Sequence, residues 1–185
     1  DSGSTPNIRI LSGTDLTWAG HYALHAVDAV YEEIKGAKVS IIFVNTRAQA
    51  EVLFQALWHA NEDNLSIALH HGSLAPEQRR KVEAAMASGK LRAVVATSSL
   101  DLGIDWAAVD LVIQMGAPKG VSRLLQRIGR AGHRLDTPSR AVLVPGNRFE
   151  VLECEAAKEG ALANRLDGDP PRPGALDVLA QHLLG

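Results

Sequence analysis

VSIIFVNTRAQAE (residues 39–51) runs an unbroken apolar, β-branched segment directly into a stretch of helical period. A strand with one wet face alternates apolar and polar residues; this one does not, so both of its faces need cover. The same grammar recurs along the chain. IRIL (8–11), SIALH (66–70), RAVVAT (92–97), DLVIQMG (110–116) and RAVLVP (140–145) are further strand candidates, and helix candidates lie near 18–35, 47–60, 76–88, 120–130 and 148–163. Apolar strands separated by helices specify an open α/β fold, a mostly parallel sheet with helices on both faces. In such folds ligands sit where the carboxyl ends of strands turn into helices, so chemistry is expected at NTR (45–47), HGSL (71–74), TSSLDLGID (97–105) and GAPKG (116–120).

The 185 residues suffice for one domain with a small appendage, and 46% hydrophobic with 22% charged residues is the balance of a globular protein. A net charge of −2 argues against a basic coat that binds nucleic acid by counterion release alone, so any phosphate site must be local. No apolar run approaches the roughly 18 residues of a membrane span, and no signal-peptide pattern opens the sequence, so the expected location is the cytoplasm, without membrane contact. Cys154 is the single cysteine; on an apolar helical face with Val151, Leu152 and Ala156 it reads as a core or half-buried thiol. DSGSTPN (1–7) reads as a linker or tag remnant, residues 8–165 as one domain, the Pro/Gly-rich 166–174 as a linker, and 175–185 as the start of a following domain.

Several chemistries lack their residues. The phosphate cradle G-x-x-x-x-G-K-[ST] is missing: SGK (88–90) is followed by Leu91, and Ala84 stands where the first glycine belongs. No D-E-x-D/H stretch is present. His21 and His25 share a helical face but lack a third ligand at a zinc-enzyme spacing, so no metal site is expected. Of His70 and His71 at a strand end, one is expected in the core and the other near the loop.

What remains are phosphate-binding elements. Thr97 and Ser98 lead from a strand into a short turn, offering hydroxyls and free N–H groups to phosphate oxygens, or alternatively an ordinary helix cap. Thr46 with Arg47, and Gly72 with Ser73, open helices in the same way. Gly103 and Asp105 form a G-x-D turn where backbone can approach closely and a carboxylate can accept from a sugar or an arginine. In LLQRIGRAGHRLD (124–136), residues three and four apart share a helix face, so Gln126, Arg127 and Arg130 are expected to converge, with His133 and Arg134 following two glycines. Arginine gives permanently charged, bidentate phosphate contacts and, supplied from outside a phosphate site, can accelerate phosphoryl transfer by roughly a thousandfold or more.

SIIFVNTRAQAE, HHGSL, VVATSSLDLGID and QRIGRAGH occur in the order and spacing of motifs IV, IVa, V and VI of superfamily 2 helicases, and GAPKGVSRLLQRIGRAGHRLDTPSRAVLVPGNRFEVLECEAA resembles the large helicase-related family, especially its ligase-associated DEXH-box DNA helicases. The resemblance spans residues 8–185. It implies a second RecA-like lobe, of the P-loop NTPase type but without the P-loop, working against a first lobe that holds ATP and Mg2+. It implies that Arg130 and Gln126 face the γ-phosphate and attacking water, that Arg127 anchors the motif or bridges the lobes, and that Gly103, Asp105 and His133 contribute to the nucleotide cleft. Thr46, Arg47, Gly72, Ser73, Thr97 and Ser98 would hold phosphates of the tracking strand. The implied partners are single-stranded or partly duplex DNA, with RNA or hybrid as alternatives, the first lobe, a downstream winged-helix domain, and a DNA ligase or repair nuclease; the implied activity is a 3′–5′ DNA helicase in repair. His133 departs from the wider superfamily's final arginine, a position that the large helicase-related branch also fills with histidine. A non-catalytic nucleic-acid or protein binding module, or a doubly wound enzyme for a small nucleotide, are the competing readings of the same elements.

Overall fold

The structure, a computed structural model, describes residues 6–11, 26–101, 106, 108–131 and 140–167, with side chains to 163. In chain order the elements are β1 (Asn7–Ile10), α1 (Val27–Lys35), β2 (Ser40–Phe43), α2 (Arg47–Ala60), β3 (Ile67–His70), α3 (Pro76–Ala87), β4 (Ala93–Ala96), a 3-10 turn (Ser98–Asp101), β5 (Leu111–Met115), α4 (Val121–Arg130), β6 (Arg140–Val144) and α5 (Arg148–Asp167). The six strands form one sheet in the order β1-β6-β5-β2-β4-β3, and every pairing is parallel.

The unbroken apolar runs are explained by burial on both faces. All residues of β2, β4 and β5 are buried, and their successive side chains enter opposite layers. Ile42, Val95 and Ile113 pack under α1 and α2 with Val30, Ile34, Leu53 and Leu57. Ile41, Phe43, Val94 and Ala96 pack the other way, against Met86 of α3, Leu100 and Trp106. On that second face α4 and α5 cover β1 and β6 with Leu124, Ile128, Cys154, Ala157 and Ala161. Cys154 is fully buried, and desolvation pushes its thiol pKa up to about 12, so it is a neutral core group. The buried stripe of α5 is Cys154, Ala157 and Ala161; Leu152, expected on that stripe, is 66% exposed.

Helix starts follow local chemistry. Thr46 caps α2 by accepting from Gln49 N at 3.1 Å, Pro76 opens α3, and Asn147 caps α5, accepting from Glu150 N at 2.9 Å. One helix runs clearly past the sequence expectation, and part of another expected helix, 18–25, lies outside the described residues. Of the expected helix 18–35, the described part is Val27–Lys35, while α5 runs to Asp167, beyond the expected 163. DLVIQMG loses its first residue because Asp110 instead receives the N–H groups of Lys38 and Val39.

After β4 the chain crosses from one side of β2 to the other, which makes the ends of β4, β2 and β5 the switch point where α/β sheets bind ligands.

Candidate nucleic-acid and nucleotide interface

Register decides which loops share a rim. Phe43, Ala96 and His70 lie level across β2, β4 and β3. The residues just beyond them therefore stand side by side: Thr46 and Arg47, then Thr97 and Ser98, then Gly72 and Ser73. Thr46, Arg47, Gly72, Ser73 and Ser98 are exposed. The Arg47 guanidinium donates to Ser73 Oγ, joining the first and third loops. Thr97 is 8% exposed, and its hydroxyl donates inward to Ser99 Oγ at 3.2 Å. The outward hydroxyl of this turn is therefore that of Ser98.

Behind the rim both histidines are buried, at 1% and 2% exposure, and His71 is the one that meets the loop. His71 lies past the last residue of β3, where strand alternation no longer applies, and its ring folds back. Its Nδ1 accepts from Ser73 N at 3.1 Å, leaving Nε2–H to donate to Glu51 Oε1 at 3.1 Å.

A second group forms where α4 meets the 3-10 turn. Arg127 is 6% exposed and grips Asp101 with two 3.0 Å bonds, from Nε and from a terminal nitrogen. Its other terminal nitrogen donates to Gln114 Oε1 at 3.0 Å, and the guanidinium lies 3.7 Å from the Phe43 ring centroid. This buried cation is thus held by a carboxylate, an amide and an aromatic ring. Arg130, one turn on, donates to the Asp101 carbonyl and stacks 4.1 Å from the Trp106 ring centroid. The two arginines converge as expected; Gln126, expected with them, is exposed. A step of one residue turns a helix by about 100°, so Gln126 cannot share the inward direction of Arg127.

The GAPKG loop is held beside these groups. Gly116 has φ +78, and an added Cβ would come within 3.0 Å of Glu150 Oε2. That carboxylate accepts from Ala117 N at 2.5 Å, while Asn45 Nδ2 donates to the Ala117 carbonyl at 3.2 Å. Gly103, Asp105, His133 and Arg134, like His21 and His25, lie outside the described residues. Among the described residues no three His, Cys, Asp or Glu side chains gather as a metal site, and no helix is long and apolar enough to cross a membrane.

The family description "Helicase conserved C-terminal domain" matches residues 23–134, which include both groups. The chain belongs to this family. As a helicase C-terminal lobe it is 41% identical over 158 residues to "ATP-dependent helicase Lhr-Core protein 2" of Thermococcus barophilus, covering 83% of this chain and 18% of that protein. It is 50% identical over 113 residues to "Lhr helicase/ probable uracil glycosylase" of Mycolicibacterium smegmatis, covering 61% of this chain and 8% of that protein. The lobe thus spans less than a fifth of the length of these relatives. Among solved structures, Mycobacterium smegmatis helicase Lhr bound to ssDNA and AMP-PNP superposes with TM-score 0.77 at 36% identity, covering 98% of this chain and 25% of that one. Saccharomyces Dbp5 bound to RNA and ADP BeF3 shares the fold, with TM-score 0.69 at 20% identity over 86% of this chain and 40% of that one. The helicase C-terminal lobe is therefore RecA-like and similar to the corresponding part of Lhr helicases.

Sequence reading missed three residues that organise these groups: Asp101, Gln114 and Glu150. Only Glu150 carried a local signal, since N-x-x-E at 147–150 is a capping-box spacing whose Glu150 also reaches back to Asn147 Nδ2 at 3.3 Å.

Proposed function

We propose that this lobe is the second motor half of a translocase that moves along single-stranded nucleic acid. The observation that carries the reading is the level rim at the ends of β2, β4 and β3, where Thr46, Arg47, Gly72, Ser73 and Ser98 stand together. Hydroxyls, backbone N–H groups and one guanidinium on a line suit successive phosphates without reading bases. Thr97, with its hydroxyl turned inward and its N–H bonded to the His70 carbonyl, shapes this rim and leaves the strand to Ser98. The Lhr structure bound to ssDNA and AMP-PNP, a close match in fold, supports the assignment of such a strand to this lobe.

On the other side, Arg130 faces the γ-phosphate of ATP held by a first lobe with its Mg2+, and the exposed Gln126 orients the attacking water. Bound there, ATP supplies the free energy of its γ-phosphoryl group. This chain contributes positive charge and water placement, and Arg127 acts by holding Asp101 and α4 together rather than by touching nucleotide. Gly103, Asp105 and His133 belong to the same cleft wall in this reading. The 3-10 turn joins the two sides, because Ser98 begins it on the strand rim and Asp101 ends it on the arginines. Closure of two lobes on ATP and release after hydrolysis would advance the strand stepwise. DNA as the strand, 3′–5′ movement, a role in repair beside a ligase or nuclease, and a winged-helix domain following the Pro/Gly-rich stretch, whose expected start at 166 moves past Asp167 because α5 runs that far, complete the proposal.

Arg47→Ala in the two-lobe protein is expected to weaken binding of single-stranded oligo-dT about tenfold at low salt, equally for any base composition, and to lower the salt slope by about 0.7. A fluorescence titration across salt concentrations reads both. Unchanged affinity and slope would remove Arg47, and with it the rim, from the interface.

A further inference from the structure

Neither the family match nor the rim explains why a histidine is sealed behind the rim. His70 is the last residue of β3, the edge strand, whose one neighbour is β4. Its pairing with Ala96 is the last rung of the ladder, and past one further backbone bond, from Thr97 N to the His70 carbonyl, no ladder pairing among the described residues holds the Gly72–Ser73 and Ser98–Ser99 segments together. The His70 ring supplies a substitute. Nδ1 lies 2.8 Å from Ser99 Oγ, which in turn lies 3.2 Å from Thr97 Oγ1 and 3.3 Å from the His70 carbonyl. Thr97 N donates to that same carbonyl at 3.2 Å. The next residue, His71, holds Ser73 N.

We propose that His70 is a positioning residue that clamps the Thr97–Ser99 loop to the Gly72–Ser73 loop, so that both phosphate-contacting loops keep one spacing along the strand. The inference rests on the reading of this rim as the strand interface.

The clamp has a defined protonation state. Ser99 has one hydroxyl proton, and the ring at 2.8 Å is a better acceptor position than the carbonyl at 3.3 Å. Nδ1 therefore accepts, and Nε2–H faces Glu83 Oε1 at 3.4 Å. A doubly protonated ring has no acceptor and would break the bond. Burial lowers the His70 pKa from the ordinary histidine value; Glu83 opposes this, while Arg79, on the same helix as Glu83, and His71, beside it on the chain, act with burial. The unfolded chain then takes up the proton first as pH falls through about 6.5, so stability from the neutral ring is present above that pH and is lost progressively below it.

The test uses the two-lobe protein, labelled oligo-dT as probe, and fluorescence titration from pH 5 to 8. His70→Leu and Ser99→Ala are each expected to weaken binding about five- to tenfold at pH 7.5, the loss of one buried hydrogen bond between neutral partners. The double variant should be no worse than the poorer single, as for two halves of one contact. His70→Asn, which offers Oδ1 near the place of Nδ1, should restore affinity and abolish the loss of affinity expected of the wild type at low pH. If His70→Leu does not fold, Ser99→Ala, which leaves the strand untouched, carries the same prediction. Affinity within twofold of wild type for Ser99→Ala, with Arg47→Ala still weakened tenfold, would overturn the clamp and leave the interface standing. If Arg47→Ala is also unchanged, the interface reading fails and the clamp with it.

Discussion

Arg130→Ala in the two-lobe protein is expected to cut kcat for strand-stimulated ATP hydrolysis by at least about a hundredfold, with ATP binding largely intact. A cation that meets charge developing on the transferring phosphoryl group stabilises the transition state more than the bound substrate, so kcat falls and affinity does not. The geometry fits that role because Arg130 is half-buried against Trp106 and the Asp101 carbonyl, which pre-aims a long side chain. Arg130→Lys should recover little, since an ammonium lacks the planar fork and stacks poorly on an aromatic ring. Single-turnover phosphate release alongside nucleotide titration separates the two quantities. An unchanged kcat in the alanine variant would move the arginine out of the cleft.

Asp101→Ala is expected to cost about 3 kcal/mol or more of stability, because it leaves the Arg127 guanidinium, 6% exposed, without its carboxylate. Gln114 and the Phe43 ring remain as partners but carry no compensating charge. Thermal denaturation of the 185-residue chain should show a midpoint lower by about 10 °C. Asp101→Asn keeps the shape and one acceptor and should lose much less. The same substitution loosens the turn that joins Ser98 to Arg130, so the two-lobe Asn variant should bind both strand and ATP while hydrolysis responds less to the strand. A melting midpoint of Asp101→Ala within 2 °C of wild type would show that Arg127 does not depend on the pair.

How far these features were legible follows from how local their causes are. VSIIFV and RAVVAT declared a buried parallel sheet because two-sided burial leaves no polar alternation, and β2 and β4 are buried throughout. Thr46 was legible as a cap for the same reason: its partner, Gln49 N, is three residues away. The arginine group was half legible. A helical wheel brings Arg127 and Arg130 together, but the direction in which they point is set by Asp101 and Gln114, which are 26 and 13 residues from Arg127 and carry no local mark. Gln126 was placed with them by the spacing of four to Arg130, yet the wheel angle to Arg127 sends it to solvent. Thr97 was assigned to phosphate as a strand-end hydroxyl; that its hydroxyl turns inward depends on Ser99 and the neighbouring strand's His70. Alternation placed one histidine in the core and the other near the loop; that the second is buried as well depends on its ring folding back onto Ser73 N and Glu51. The four motifs together fixed the helicase family, and the match to residues 23–134 agrees with them.

The central claim, that this lobe carries one wall of an ATP site whose phosphate cradle lies on another lobe, is tested most directly by steady-state phosphate release from the purified 185-residue chain given Mg-ATP, with and without single-stranded DNA, beside the same lobe joined to its P-loop-bearing partner lobe. The account predicts no strand-stimulated release from the chain alone and strand-stimulated release from the joined lobes. Strand-stimulated turnover by the chain alone would contradict it.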